Sequence, residues 1–267
     1  MVKVVAEGTY LERIIAWHLE RAKADVRRLD LLVEEALATT APPSFSSAIG
    51  TGDLSLIAEC KRRSPSRGDL NVDLVPTQIA SAYRNGGASA LSVLTDAEFF
   101  HGSADDLIQV KSAVDIPILR KDFTVDARDV VDARIMGASA VLLIVAALER
   151  AQLVEYLALA DELSLDCLVE VHDEDEIEVA LGAGAKIIGI NQRNLHDFSI
   201  DRSLASSLRH MIPAQVLSVA ESGIIEVEQL EKLAHDNFSA VLVGEALVTS
   251  GDPEGQCRRF VSAGTRR

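Results

Sequence analysis

A chain of 267 residues, 48% hydrophobic and 25% charged, can bury a large core and has the composition of a globular protein. Its formal charge of −15 argues against nucleic acid as a partner, since such binding needs a basic field, and it makes any local gathering of Lys and Arg informative. No apolar run reaches the roughly 18 residues that span a bilayer and the first ten residues lack a secretory pattern, so a cytoplasmic protein with no membrane partner is expected.

Residues 9–37 place Leu11, Ile15, Leu19, Ala22, Val26, Leu29, Val33 and Leu37 three or four apart, the period of one amphipathic helix. Residues 39–52, rich in Pro, Ser, Thr and Ala, read as a linker. The run 56–61, Leu-Ile-Ala-Glu-Cys-Lys, then reads as a buried strand that ends in charge. Alternation puts Ile57, Glu59 and Lys61 on one face and Leu56, Ala58 and Cys60 on the other. Burying either charge alone is costly, so Glu59 and Lys61 are either a structural ion pair or part of a site. Arg62, Arg63, Ser64, Ser66 and Arg67 surround Pro65 in the loop that follows, a group suited to an anion.

Further strand-like runs occupy 89–94, 116–121, 139–145, 167–171, 186–191, 216–220 and 240–243, with amphipathic stretches such as 76–84, 148–163 and 227–234 between them. Gly-Ala pairs at 87–88, 137–138 and 184–185 suit helix ends that turn into strands. Eight alternating units predict an α/β fold, the (β/α)8 TIM barrel, with an additional N-terminal helical segment. An open doubly wound sheet is disfavoured because no G-x-G-x-x-G turn follows the first strand. The expected organisation is one domain, with 1–52 an extension packed on a barrel of 53–267. Cys60, Cys167 and Cys257 are odd in number and far apart, so neither a disulfide frame nor a metal site is indicated.

Chemistry in such barrels collects where strands end and βα loops begin. Polar residues gather there: Glu59 and Lys61, Arg120 to Phe123, Glu170 and His172, Asn191 to Asn194, Glu221 to Gly223, and Gly244 with Glu245. Charges ending so many apolar strands on one rim point to a site. The loops carrying Ser222, Gly223, Gly244 and Glu245 sit where these barrels commonly hold phosphate, and the Ser64 loop is expected to complete that pocket. Lys61 and Lys121 are candidate general acids whose ammonium pKa burial and mutual repulsion are expected to lower, with Glu59 and Glu170 opposing them. A proton donor and an imine-forming lysine are not distinguished at this level. Trp17 is assigned either to a dimer or to the barrel floor.

Several blocks, in order, resemble indole-3-glycerol phosphate synthase of tryptophan biosynthesis: Ile-Ala-Glu-Cys-Lys-Arg-Arg-Ser-Pro-Ser at 57–66, Leu-Ser-Val-Leu-Thr at 91–95, Phe-Phe-His-Gly-Ser at 99–103, Pro-Ile-Leu-Arg-Lys-Asp-Phe at 117–123, Leu-Val-Glu-Val-His at 168–172, Ile-Gly-Ile-Asn-Gln-Arg-Asn-Leu at 188–195, and Ala-Glu-Ser-Gly-Ile at 220–224. The resemblance implies a carboxy-lyase that closes the indole ring of 1-(2-carboxyphenylamino)-1-deoxyribulose 5-phosphate, with loss of carbon dioxide and water and with no metal or organic cofactor. It implies Lys121 as the general acid, Lys61 on the substrate carboxylate, Glu59 and Glu170 in deprotonation and dehydration, and Asn191 on the substrate hydroxyls. Ser64, Ser222, Gly223 and Gly244 would hold phosphate, with Glu245 beside them. Phe100, Phe123 and Leu142 would enclose the anthranilate ring, and Leu242, Arg193 and Glu221 would complete the substrate-binding wall. The implied partner is a small phosphorylated anion, and the implied assembly a monomer or homodimer. Two other classes compete: phosphoribosylanthranilate isomerase, whose strand-end Cys would have to be Cys60 at the wrong parity, and a non-catalytic binding subunit, which would not need this full set of charges.

Overall fold

The computed structural model describes residues 8–64, 68–194 and 197–265. All eight expected strands form: β1 (Ser55–Cys60), β2 (Ala90–Leu94), β3 (Ile118–Lys121), β4 (Ala140–Ile144), β5 (Asp166–Val171), β6 (Ile187–Asn191), β7 (Leu217–Glu221) and β8 (Ala240–Val243). They pair in parallel in sequence order, and β1 pairs with β8 to close the barrel. The chain also forms α1 (Tyr10–Ala24), α2 (Leu29–Ala38), α3 (Phe45–Ile49), α4 (Pro76–Asn85), α5 (Ala104–Ala113), α6 (Ala127–Ile135), α7 (Arg150–Glu162), α8 (Glu174–Ala183), α9 (Leu204–Leu208), α10 (Val227–His235), α11 (Glu245–Val248) and α12 (Pro253–Gly264).

Strand alternation splits the core into two layers. Ile57, Leu119, Leu168, Ile187, Val219 and Leu242 fill the barrel interior, while Leu56, Leu91, Val141, Val169 and Val241 pack outward against the helices. The same parity carries the strand ends: two residues after Ile57, Leu119, Leu168 and Val219 come Glu59, Lys121, Glu170 and Glu221. Gly87, Gly137 and Gly184 turn helix into strand at φ of 93°, 88° and 90°, a region that a Cβ makes costly. The C-terminal helix α12 closes the ring: buried Cys257 and Phe260 face inward, and a Cβ on Gly86 would collide with Cys257.

The N-terminal segment departs from expectation in three ways. Residues 9–37 are two helices, because Arg128 on α6 donates to the carbonyls of Ala22 at 3.0 Å and of Asp25, so a side chain from a hundred residues away caps α1. The buried stripe of α1 is accordingly Leu11, Ile14, His18 and Ala22, whereas Leu19 and Val26 are exposed. Residues 39–52 are also more than a linker: Ser44 caps α3 by accepting from the Ser47 amide at 3.1 Å, and Phe45 and Ile49, both fully buried, plug the barrel floor. Asp166, the first residue of β5, accepts from the Ser46 amide at 2.8 Å and fixes the plug to that end. Trp17 is not at the floor. Its ring stands edge-on to Phe99 at 6.1 Å, and Tyr10 meets Phe99 and Phe198 at 5.9 and 4.9 Å, so α1 crosses the opposite mouth between the loops after β2 and β6.

Phe45→Ala is expected to lower unfolding stability by about 3–5 kcal/mol, since the floor would be left with a cavity it cannot collapse. A denaturant melt should show the midpoint fall with an unchanged slope.

Candidate active site

A cavity of about 390 Å³ opens at the C-terminal ends of the strands, under α1. Glu59, Lys61, Lys121, Glu170 and Asn191 line it together with Glu221. Lys121 Nζ donates to Glu170 Oε2 at 2.7 Å and lies 3.2 Å from Glu221 Oε2, so one ammonium joins carboxylates from β5 and β7. Glu170 Oε1 accepts from Asn191 Nδ2 at 3.1 Å, and the Arg193 amide donates to Asn191 Oδ1 at 3.0 Å, which fixes the orientation of that amide. Lys61 and Glu59 form a second, adjacent ion pair. Two glycines make room for this density of carboxylates. A Cβ on Gly189 would strike Glu221 Oε1, and one on Gly244 would strike Glu59 Oε1.

The electrostatics reverse one expectation. Burial works against the Lys121 charge, but Glu170, Glu221 and Glu59 outweigh it and hold its pKa well above the ordinary lysine value; the lowering predicted from burial and lysine repulsion does not occur because three carboxylates face it. Burial likewise opposes the Glu170 carboxylate, yet Lys121 and His172 hold its pKa well below the usual range. Glu221 goes the other way: burial, helped by the neighbouring Glu170 charge, pushes it up to about 7 against the pull of Lys121. Its Oε1 has no hydrogen-bond partner among the described residues. The cluster thus contains a fixed cation, a fixed anion and a carboxyl that exchanges its proton near neutrality, a set suited to general acid–base work.

A carboxyl whose folded pKa lies above its ordinary 4.5 adds stability that is full below that value and is lost as pH rises through about 7. Glu221→Gln should therefore stabilise the ligand-free protein at about pH 8.5 by on the order of 2 kcal/mol, with little change near pH 4.5. Thermal melts of both proteins at the two pH values check this; an equal gap at both would contradict it.

Apolar side chains line the cavity too. Phe100 and Phe123 face it with ring centroids 6.1 Å apart, Leu142 and Leu242 also line it, and the His18 ring on α1 backs Phe123 at 5.5 Å. His18 Nε2 contacts Asp96 Oδ2 at 2.9 Å, while Asp96 Oδ1 accepts from the Phe99 and Phe100 amides at 2.6 and 2.9 Å, so the crossing helix holds the loop that carries Phe100. Of the remaining predicted residues, Ser222, Gly223, Gly244, Glu245 and Arg193 all line the cavity. Ser222 and Gly223 take φ of 66° and 74°, and their carbonyls are tied back, Ser222 to Gln192 Nε2 at 2.7 Å and Gly223 to Arg202 Nε and Gln229 Nε2, both at 3.1 Å. With the carbonyls so engaged, the amides of this turn are the groups that could meet an anion.

One sequence expectation changes, and another falls outside the described residues. The side chain of Ser64, with Pro65, Ser66 and Arg67, lies outside the described residues, so a phosphate role for that loop has no geometry here. Arg62 is committed to structure: it pairs with Asp106 at the start of α5 and donates to the Leu74 carbonyl at 3.2 Å, because a buried carboxylate one strand away competes for it. Arg63 contacts His101 Nε2 at 2.9 Å. Sequence reasoning also missed Phe198, Ile200 and Arg202, which line the cavity from the long loop after β6; a bridge between Arg193 and Ile200 folds that loop back, and only the Asn191–Asn194 end of it carried a recognisable signal.

A family model described as indole-3-glycerol phosphate synthase matches residues 11–260. Proteins of that name from Mycobacteroides abscessus and Chlorobium chlorochromatii are 43% and 46% identical over 98% and 90% of this chain and 97% and 95% of theirs. Among solved structures, 3-hexulose-6-phosphate synthase from Salmonella typhimurium aligns with a TM-score of 0.61 at 12% identity, over 79% of this chain and 98% of that one, a likeness of fold alone.

Proposed function

Since this chain belongs to the indole-3-glycerol phosphate synthase family, we propose that the cavity closes the indole ring of 1-(2-carboxyphenylamino)-1-deoxyribulose 5-phosphate with Lys121 as the proton donor. Family membership places the protein in tryptophan biosynthesis and makes its substrate a small phosphorylated molecule. The residue-level route rests on one observation, the Lys121 ammonium held between Glu170 and Glu221 in a cavity that Phe100 and Phe123 also line.

In this reading the phosphate sits at Ser222, Gly223 and Gly244, where the backbone can approach closely. The anthranilate ring lies among Phe100, Phe123 and Leu142, with Leu242 below it. Its carboxylate takes Lys61 from Glu59, which frees Glu59 as a base. The ring carbon then attacks the substrate carbonyl, and Lys121 protonates the oxygen. A lysine whose pKa is raised keeps its proton from weak bases and yields it to a developing alkoxide, which is far more basic than a carboxylate. Carbon dioxide leaves, Glu59 and Glu170 as bases take up the proton the substrate loses, and Lys61, released from the departed carboxylate, donates the proton with which the hydroxyl leaves as water, with Asn191 and Arg193 positioning the sugar hydroxyls. The same reading makes the protein a cytoplasmic carboxy-lyase, active as a monomer or homodimer, whose residues 1–52 are an extension of a single barrel domain.

Purified protein and synthetic substrate in a chelating buffer should yield indole fluorescence. Bound substrate without product would favour a pocket that only binds, and turnover of phosphoribosylanthranilate would favour the isomerase. The buried, outward-facing Cys60 speaks against the second outcome.

A further inference from the structure

Two residues beyond Glu170, at the start of the loop after β5, His172 is placed between two carboxylates. Its backbone amide and Nδ1 meet Glu176 Oε2 at 2.8 and 3.1 Å, and Nε2 faces Glu170 Oε1 at 3.5 Å with no hydrogen-bond partner among the described residues. Glu176 lies in the first turn of α8, and Asp173 caps that helix by accepting from the Glu176 amide at 2.8 Å, so the outer anchor is rigid. An imidazole protonated only at Nδ1 would turn the Nε2 lone pair toward an ionised carboxylate. With acceptors at both nitrogens, the arrangement is favourable only for the imidazolium.

We propose that His172 is a positioning residue that bridges Glu170 to Glu176 as an imidazolium and fixes the Glu170 carboxylate so that one oxygen stays on Lys121 and the other on Asn191. The inference rests on the acid–base role read for Glu170 above. Burial opposes the charge on His172, yet the flanking carboxylates of Glu170 and Glu176 push its pKa up to about 10. The other groups in this network have partners of their own: Lys121 on β3 pairs with Glu170 and with Glu221 on β7, Asn191 on β6 is neutral and donates to Glu170, and Asp173 is turned to its cap.

Removing the cation should raise the pKa of Glu170, which must be ionised to act, and loosen its geometry. In His172→Asn, and more weakly in Glu176→Gln, kcat is expected to fall by roughly tenfold with KM nearly unchanged, and the acid limb of the kcat–pH profile should rise by about one unit. A packing role alone would leave that limb in place. Nitrogen NMR of the ligand-free protein, with His172 assigned from the Asn variant, should show both ring nitrogens protonated at about pH 8; a neutral ring would overturn the proposal whatever the activity. If wild type turns substrate over and both variants keep its kcat and pH profile, the inference fails and the functional reading stands. If wild type is inactive, it is the functional reading that fails.

Discussion

Lys121→Met is expected to lower kcat by roughly a thousandfold or more while KM moves only a few-fold, because a general acid at a developing alkoxide has no substitute in the cavity. Lys61 is engaged with Glu59 in the free protein and with the substrate carboxylate in the proposed complex, and Glu221 is turned to Lys121 and is not placed on the substrate carbonyl in this reading. The fold should survive. Without the ammonium, Glu170 and Glu221 repel, but Glu221 already sits near a protonated state and relieves the repulsion by taking up a proton. Methionine fills the vacated stem volume. Steady-state kinetics with a thermal melt checks both halves; turnover within about tenfold of wild type would remove Lys121 from the proton transfer.

Glu170→Gln should cost roughly a hundredfold to ten-thousandfold in kcat. Glutamine keeps the shape and the contact with Asn191 but cannot take a proton. It also withdraws the largest electrostatic support for the Lys121 charge, leaving Glu221 and then Glu59. The variant should therefore show a lower Lys121 pKa as well as slow turnover, seen as a basic limb that moves down in pH. Normal kcat with an unmoved profile would assign the base role elsewhere, to Glu59 first.

The barrel and its rim were legible because strand alternation leaves an unmistakable trace. Ile57 then Glu59, Leu119 then Lys121, and Leu168 then Glu170 each put a charge on the interior face at the end of an apolar run, the pattern that points to a site at the strand ends. The rest depended on tertiary partners. Nothing local in 9–37 announces that Arg128 will cap α1, and the five-residue plug at Phe45–Ile49 is too short for a helical period to emerge. The pKa of Lys121 reversed because carboxylates from β1, β5 and β7 converge on it, a sum that parity suggests but only closure of the barrel fixes. Arg62 looked like an anion ligand until Asp106 on a neighbouring element was seen to hold it.

The most direct measurement is a structure with an unreactive substrate analogue bound, its carbonyl reduced to an alcohol. The alcohol oxygen should lie within hydrogen-bond reach of Lys121 Nζ, with the aromatic ring against Phe100 and Phe123 and the phosphate on the Ser222–Gly223 turn. An analogue seated with its phosphate elsewhere, or with Lys121 still closed on both carboxylates and out of reach of that oxygen, would contradict the proposed route.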